Sequence, residues 1–230
     1  MTKAKASARK SGGSDESRLR SAVIETARAM SDSGLSPGRS GNVSARFDGG
    51  MLITPTGLAY ADIRSKDIVY VAADGSVPGK QKTPSSEWQF HLSAYEARPD
   101  MSAVVHTHSL HAVVLSCAGR PIPAFHYMVA VAGGADIPLV PYATFGSAEL
   151  AAHVAAGLAE RRACLMAHHG AIAVGETLTD ALALAHEVEV LAEQYVKLLT
   201  LGEPAMLPDG EMAVVLERFK TYGQQRPDAD

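Results

Sequence analysis

VSARFDGGMLIT, residues 43–54, is the stretch that decides the fold. Two short apolar runs, Val43–Phe47 and Met51–Thr54, flank Asp48-Gly49-Gly50, which is a hairpin signal. Ile68–Val71 reads as a third strand, closed by Asp74-Gly75. Upstream, a helical period starts at Asp15, with Leu19, Val23, Ala27 and Met30 on one face and Gly34 ending the run. Downstream, Ser86–Ala97 reads as a helix with Trp88, Leu92 and Tyr95 inward. Ala103–His108 is a buried strand and Ser109–Cys117 a short helix. Ile137–Val140 is a strand, Ser147–Glu160 a helix, and Cys164–Ala167 and Ala171–Val174 are strands. A last long helix starts near Thr177, where Asp180 completes a capping-box pattern. Leu184, Val188, Leu191, Tyr195 and Leu198 form its seam. Hairpins interspersed with helices predict a single layered α/β domain with much antiparallel sheet, not a doubly wound parallel one.

The chain has 230 residues, 47% of them hydrophobic, enough for one domain with a sizeable core. Residues 1–14 are basic, small and Gly-interrupted, and are expected to form a disordered tail. The domain is expected over 15–223, with a flexible C-terminal tail at 224–230. A net charge of −4 argues against a nucleic-acid partner. No apolar run approaches the roughly 20 residues of a membrane span. Two cysteines are too few for a disulfide framework, so a reducing, cytoplasmic setting is expected.

His106-Thr107-His108 ends an apolar strand. Side chains alternate along a strand, so both imidazoles share one face and could reach one ion. His169, in the tight His168-His169-Gly170 turn, offers a third ligand, and Glu87 a carboxylate ligand or a base. Catalytic zinc commonly takes three protein ligands and keeps a position open. Spacing alone leaves room for ordinary strand-end histidines. No G-x-x-x-x-G-K-[ST] run occurs, which excludes that type of nucleotide loop. Gly41-Asn42-Val43-Ser44, Thr54-Pro55-Thr56-Gly57 and Ser85-Ser86 stand in its place. Serines opening a helix are ordinarily just an N-cap, but the same helix end can hold a phosphate with its free N–H groups. Glu87 follows directly, which puts a carboxylate beside a candidate phosphate pocket.

The stretches GNVS (41–44), MLITPTG (51–57), PSSEW (84–88), AVVHTH (103–108) and HHG (168–170) resemble the class II aldolase/adducin-head family. IPAFHYMVAVAGG (122–134), PYATFG (141–146), LAHEVEVLA (184–192) and AVVLERFKTYG (213–223) resemble its bacterial ketose 1-phosphate aldolases, specifically those acting on L-fuculose 1-phosphate. The resemblance spans roughly residues 18–223. It implies a three-layer α/β/α sandwich around a largely antiparallel sheet. It implies one Zn2+ per subunit on His106, His108 and His169, with Glu87 as a displaceable ligand that becomes the acid/base. The matching phosphate residues are Asn42, Thr56, Gly57, Ser85 and Ser86. Tyr127 matches a proton-donating tyrosine, and Phe145 and Tyr222 match residues lining the aldehyde side. The family's pocket lies between subunits of a cyclic homotetramer. The expected reaction is reversible cleavage of L-fuculose 1-phosphate to dihydroxyacetone phosphate and L-lactaldehyde. Alternatives are another (deoxy)ketose 1-phosphate, or pentulose-phosphate 4-epimerase chemistry. The sequence departs from the pattern at Thr107, at one added residue before PSSEW, and beyond Gly223.

Overall fold

The structure is a computed structural model that describes the backbone of residues 2–221 and the side chains from residue 14 onward. Seven strands form one sheet: β1 (Asn42–Phe47), β2 (Gly50–Ile53), β3 (Val69–Val71), β4 (Ala103–Thr107), β5 (Leu139–Val140), β6 (Ala163–Met166) and β7 (Gly170–Gly175). Their order is β3-β2-β1-β4-β7-β6-β5. Every pairing is antiparallel except that of β5 with β6. The hairpin signal is borne out. Phe47 pairs with Gly50, and the two residues between them, Asp48 and Gly49, have φ of 45° and 74°. Positive φ at both positions matches the strand twist, and an Asp-Gly pair adopts it readily.

Helices cover both faces. On one side lie α1 (Thr2–Asp32), α3 (Leu110–Cys117), α5 (Leu178–Leu199) and α6 (Asp209–Phe219). They pack on Val43, Ala45, Leu52, Val105, Leu165 and Ala173. On the other lie α2 (Trp88–Ala97) and α4 (Ala148–Leu158), over Met51, Ile53, Val104, Met166, Ile172 and Val174. Alternate residues of each strand therefore serve opposite cores, giving the expected three-layer sandwich. The capping box at α5 forms as read: Asp180 N–H donates to Thr177 Oγ1 at 3.1 Å, and Thr177 N–H donates to Asp180 Oδ2 at 3.2 Å.

Four differences from the sequence reading have physical causes. The helical backbone of α1 begins at Thr2 rather than Asp15. Ala, Lys and Arg in that stretch are good helix formers, which the reading subordinated to its glycines. Helix α6 was not expected, although Met212, Val215, Leu216 and Phe219 lie on one face that packs against the core. α2 starts at Trp88, not Ser86, and buries Phe90, His91, Ala94 and Tyr95. Trp88 and Leu92 are only partly buried, because the inward face is partly polar. Residues 127–132, to which the sequence reading assigns no element, form a 3-10 turn, Tyr127–Ala132. The expected C-terminal tail, 224–230, lies outside the described residues. Among the described residues, no helix is long and apolar enough to cross a membrane.

Candidate metal centre

The centre is assembled by the middle of the sheet. Asn42 on β1 pairs with His106 on β4, and His106 pairs with Ile172 on β7. His106 is fully buried. Its Nδ1 lies 2.9 Å from the Ala171 carbonyl, so Nδ1–H donates and the Nε2 lone pair faces the cluster. His108, two residues on, turns to the same side, with its Nε2 3.0 Å from that of His106. His169 arrives from the β6–β7 turn, where His168 takes a φ of 55°. Gly170 follows because a Cβ there would sit 2.3 Å from the Thr107 carbonyl oxygen. Glu87 stands at the head of α2, 5% exposed, with its backbone N–H 3.3 Å from Ser85 Oγ.

The Glu87 carboxylate reaches both rings, with Oε1 2.9 Å from His169 Nε2 and Oε2 3.3 Å from His106 Nε2. Burial alone would raise this carboxyl, but the His106 and His169 rings overturn that and hold it well below the usual range. Burial, then repulsion from His106 and His169, pushes His108 down to about 3. Ligand atoms of Glu87, His106, His108 and His169 all lie within 4.8 Å of one another. Ligands about 2.0–2.1 Å from a tetrahedral zinc sit about 3.4 Å apart, so this donor set fits a divalent cation. It fits chemically as well. With His106 Nδ1–H committed, its Nε2 lone pair faces a carboxylate oxygen, and only a proton or a cation between them relieves that contact.

A cavity of about 330 Å³ opens beside the cluster. Its wall carries all five expected phosphate residues, Asn42, Thr56, Gly57, Ser85 and Ser86, together with Glu87, His108 and His169. Their roles are uneven. Thr56 N–H already donates to Thr83 O at 3.1 Å and Ser85 N–H to Thr54 O at 3.0 Å, so those two offer side chains rather than backbone. One Asn42 Nδ2 hydrogen goes to Glu87 Oε2 at 2.8 Å. Phe145 lines the cavity and is 65% exposed. Tyr127 is exposed on its 3-10 turn and does not line the cavity. Tyr222 lies outside the described residues.

The sequence reading missed two residues here. Arg39 lines the cavity, with Nη1 2.9 Å from the Gly57 carbonyl. Its signal was its place two residues before Gly41-Asn42. His91 is fully buried behind Asn42. Its signal was its spacing, one helical turn beyond Glu87. His168 lines the cavity without joining the ligand cluster, as the choice of His169 supposed.

This combination of sandwich and centre is that of a class II aldolase. Residues 21–196 match the family described as Class II Aldolase and Adducin N-terminal domain, and the chain belongs to it, on the side of its enzymes, the carbon–carbon lyases. Among its relatives, a Rhodospirillum rubrum protein named 5-methylthioribulose-1-phosphate/5-deoxyribulose-1-phosphate aldolase is 55% identical, over 89% of this chain and 92% of its own length. An Escherichia coli L-fuculose phosphate aldolase is 50% identical, over 91% and 97%. A solved structure of L-fuculose 1-phosphate aldolase matches with a TM-score of 0.84 at 39% identity, covering 88% of this chain and 96% of that one.

Proposed function

We propose that the protein cleaves a ketose 1-phosphate whose far end is deoxygenated, releasing dihydroxyacetone phosphate and a short aldehyde. L-Fuculose 1-phosphate is the first substrate to test. The observation that carries this reading is the adjacency of the Glu87, His106, His108 and His169 cluster to the Ser85-Ser86 and Thr56-Gly57 wall in one cavity. A ketose 1-phosphate carries its phosphate one carbon from its carbonyl, and that adjacency suits it. The relatives support the same half-molecule. The substrates in the relatives' names are deoxyketose 1-phosphates that differ in their aldehyde half.

A divalent cation, zinc by ligand preference, would be held by the three histidines and Glu87 and would supply Lewis-acid stabilisation of negative charge at the substrate carbonyl. The protein's residues do the rest. Ser85, Ser86, Thr56, Gly57 and Asn42 grip the phosphate, and Arg39 adds the cation of that wall. The grip fixes the reacting carbons beside Glu87. On cleavage, the C4 hydroxyl passes its proton by way of Tyr127 to solvent, the C3–C4 electron pair stays with C3, and Glu87, having taken a proton from solvent, delivers it to C3. Tyr127 lies away from its own chain's cavity, so we place it in the cavity of a neighbouring copy within a homotetramer. Phe145 lines the aldehyde side, and its exposure suits an apolar aldehyde end.

The test is release of triose phosphate from L-fuculose 1-phosphate and from 5-deoxyribulose 1-phosphate, coupled to NADH oxidation. It is run before and after chelation and again with zinc restored. Zinc-dependent release from either supports the reading, and the ratio of kcat/KM values assigns the aldehyde. Zinc-loaded protein that releases no triose phosphate from either would overturn it.

A further inference from the structure

Glu87, His91 and Tyr95 stand four residues apart and share one face at and beyond the head of α2. Asn42 and Ser44 stand two apart on β1 and share the face that meets it. A polar stripe at helical period thus meets a polar pair at strand period, in the floor beneath the cluster. All five residues are buried. They form one chain of hydrogen bonds: Tyr95 Oη to Ser44 Oγ at 2.8 Å, Ser44 Oγ to His91 Nδ1 at 2.7 Å, His91 Nε2 to Asn42 Oδ1, and Asn42 Nδ2 to Glu87 Oε2 at 2.8 Å.

The direction of this chain has one solution. A carboxylate only accepts, so Asn42 must present its NH2 to Glu87 and its carbonyl oxygen to His91. That oxygen only accepts, so His91 carries its proton on Nε2 and accepts at Nδ1. Ser44 then donates to Nδ1 and accepts from the Tyr95 hydroxyl. Every donor points toward Glu87, and each of these four bonds pairs one donor with one acceptor. We propose that His91, with Ser44 and Tyr95 behind it, is a positioning relay that fixes the amide of Asn42 and thereby holds the Glu87 carboxylate aimed at the histidine cluster. His91 does not touch substrate in this scheme; it acts through Asn42. The inference rests on the aldolase reading for its effect on turnover, but not for its geometry.

Burial, then repulsion from His106, pushes His91 down to about 3, which keeps the ring in the neutral form the chain requires. Burial likewise raises Tyr95, which stays a donor. Arg46 closes the far end, with its guanidinium carbon 4.7 Å from the Tyr95 ring centre and Nη2 donating to the Tyr95 carbonyl at 2.9 Å.

Three measurements test it. First, 15N imidazole shifts of metal-free protein, with His91 assigned by its loss in His91→Leu, should show the Nε2–H tautomer; an Nδ1–H tautomer overturns the relay. Second, Ser44→Ala and His91→Leu should each lower zinc affinity, titrated against a competing chelator, by about 10-fold or more, the usual effect of losing an outer-shell partner. They should lower kcat by a similar factor. Ser44→Ala carries the test alone if His91→Leu does not fold, because it frees His91 to change tautomer and Asn42 to flip. Third, in an Asn42→Ala background, adding Ser44→Ala should change zinc affinity less than about 2-fold, since a relay with its middle removed transmits nothing. Variants that bind zinc as wild type does, or losses that add in the double variant, overturn the proposal and leave a merely structural polar cluster. A wild-type protein that binds no zinc would sink the metal reading instead, and the tautomer then decides the relay by itself.

Discussion

His91 makes metal-free protein acid-sensitive in a way that can be worked out beforehand. An unfolded histidine has a pKa near 6.5, whereas the buried ring is held at about 3. The folded state therefore refuses a proton that the unfolded state accepts. The sign follows. Above pH 6.5 neither state binds the proton and stability is unaffected. Between 6.5 and 3 stability falls by about 1.4 kcal/mol per pH unit, and below 3 the loss levels off. Going from pH 7.5 to pH 5 thus costs about 2 kcal/mol from this one group, or about 4–8 °C in Tm for a chain of this size. The assay is thermal or urea unfolding of chelator-treated protein at both pH values and one protein concentration, for wild type and His91→Leu. The variant leaves Asn42 and Ser44 underpaired and starts less stable, but that offset does not change with pH. His108, also depressed to about 3, and Glu87 are common to both proteins, so the difference isolates His91. Wild type should lose about 2 kcal/mol more than the variant between pH 7.5 and 5. Parallel losses would mean the buried ring takes a proton in the folded state, and would refute the reasoning.

Glu87→Gln should still hold zinc on its three histidines, at an affinity lowered at least as far as in Ser44→Ala, yet lose roughly 10²–10⁴-fold in kcat, as should Tyr127→Phe, by removing a general acid–base group. Co-refolding those two inactive proteins should return part of the activity, because Tyr127 lies outside its own chain's cavity; a mixture as inactive as its components would place both groups in one chain. Arg39→Ala should raise KM for the phosphorylated substrate about 10-fold with kcat within about 2-fold, the low end for a charged hydrogen bond at an exposed position. Initial rates over a substrate series check this. Gly170→Ala forces a Cβ to 2.3 Å from the Thr107 carbonyl oxygen, so it should destabilise by about 1–3 kcal/mol and weaken zinc binding by displacing His169. A lowered Tm together with a weaker zinc titration checks it.

The alternation of His106 and His108 and the Asp48-Gly49 turn were legible because each follows from a local periodicity of the backbone. The choice of His169 over His168 was legible too, since a glycine after the turn leaves one ring free to face inward. The inner face of α2 was not. Hydrophobicity favours Trp88 and Leu92, yet His91 and Glu87 point inward, because Asn42 and Ser44, some forty residues upstream, offer them hydrogen bonds. A polar residue's partner is a tertiary fact, and a periodicity count has no access to it. Arg39 escaped for a similar reason: nothing near it in sequence says that its loop folds over the Gly57 turn. Tyr127 shows a further limit: the resemblance singles it out, yet it does not line the cavity of its own chain.

The ladder register that pairs Asn42 with His106, and His106 with Ile172, has a consequence for how such a protein diversifies. Its ion-binding residues inherit their spacing from main-chain bonds in the central strands, where a slip by one residue would turn every side chain to the opposite layer. The groups expected to meet the aldehyde, Phe145 and Tyr127, instead carry exposed side chains outside the strands. Selection can thus exchange one aldehyde preference for another through a handful of surface replacements while the reaction itself is inherited unchanged. Relatives sharing half or more of their residues can accordingly bear different substrate names.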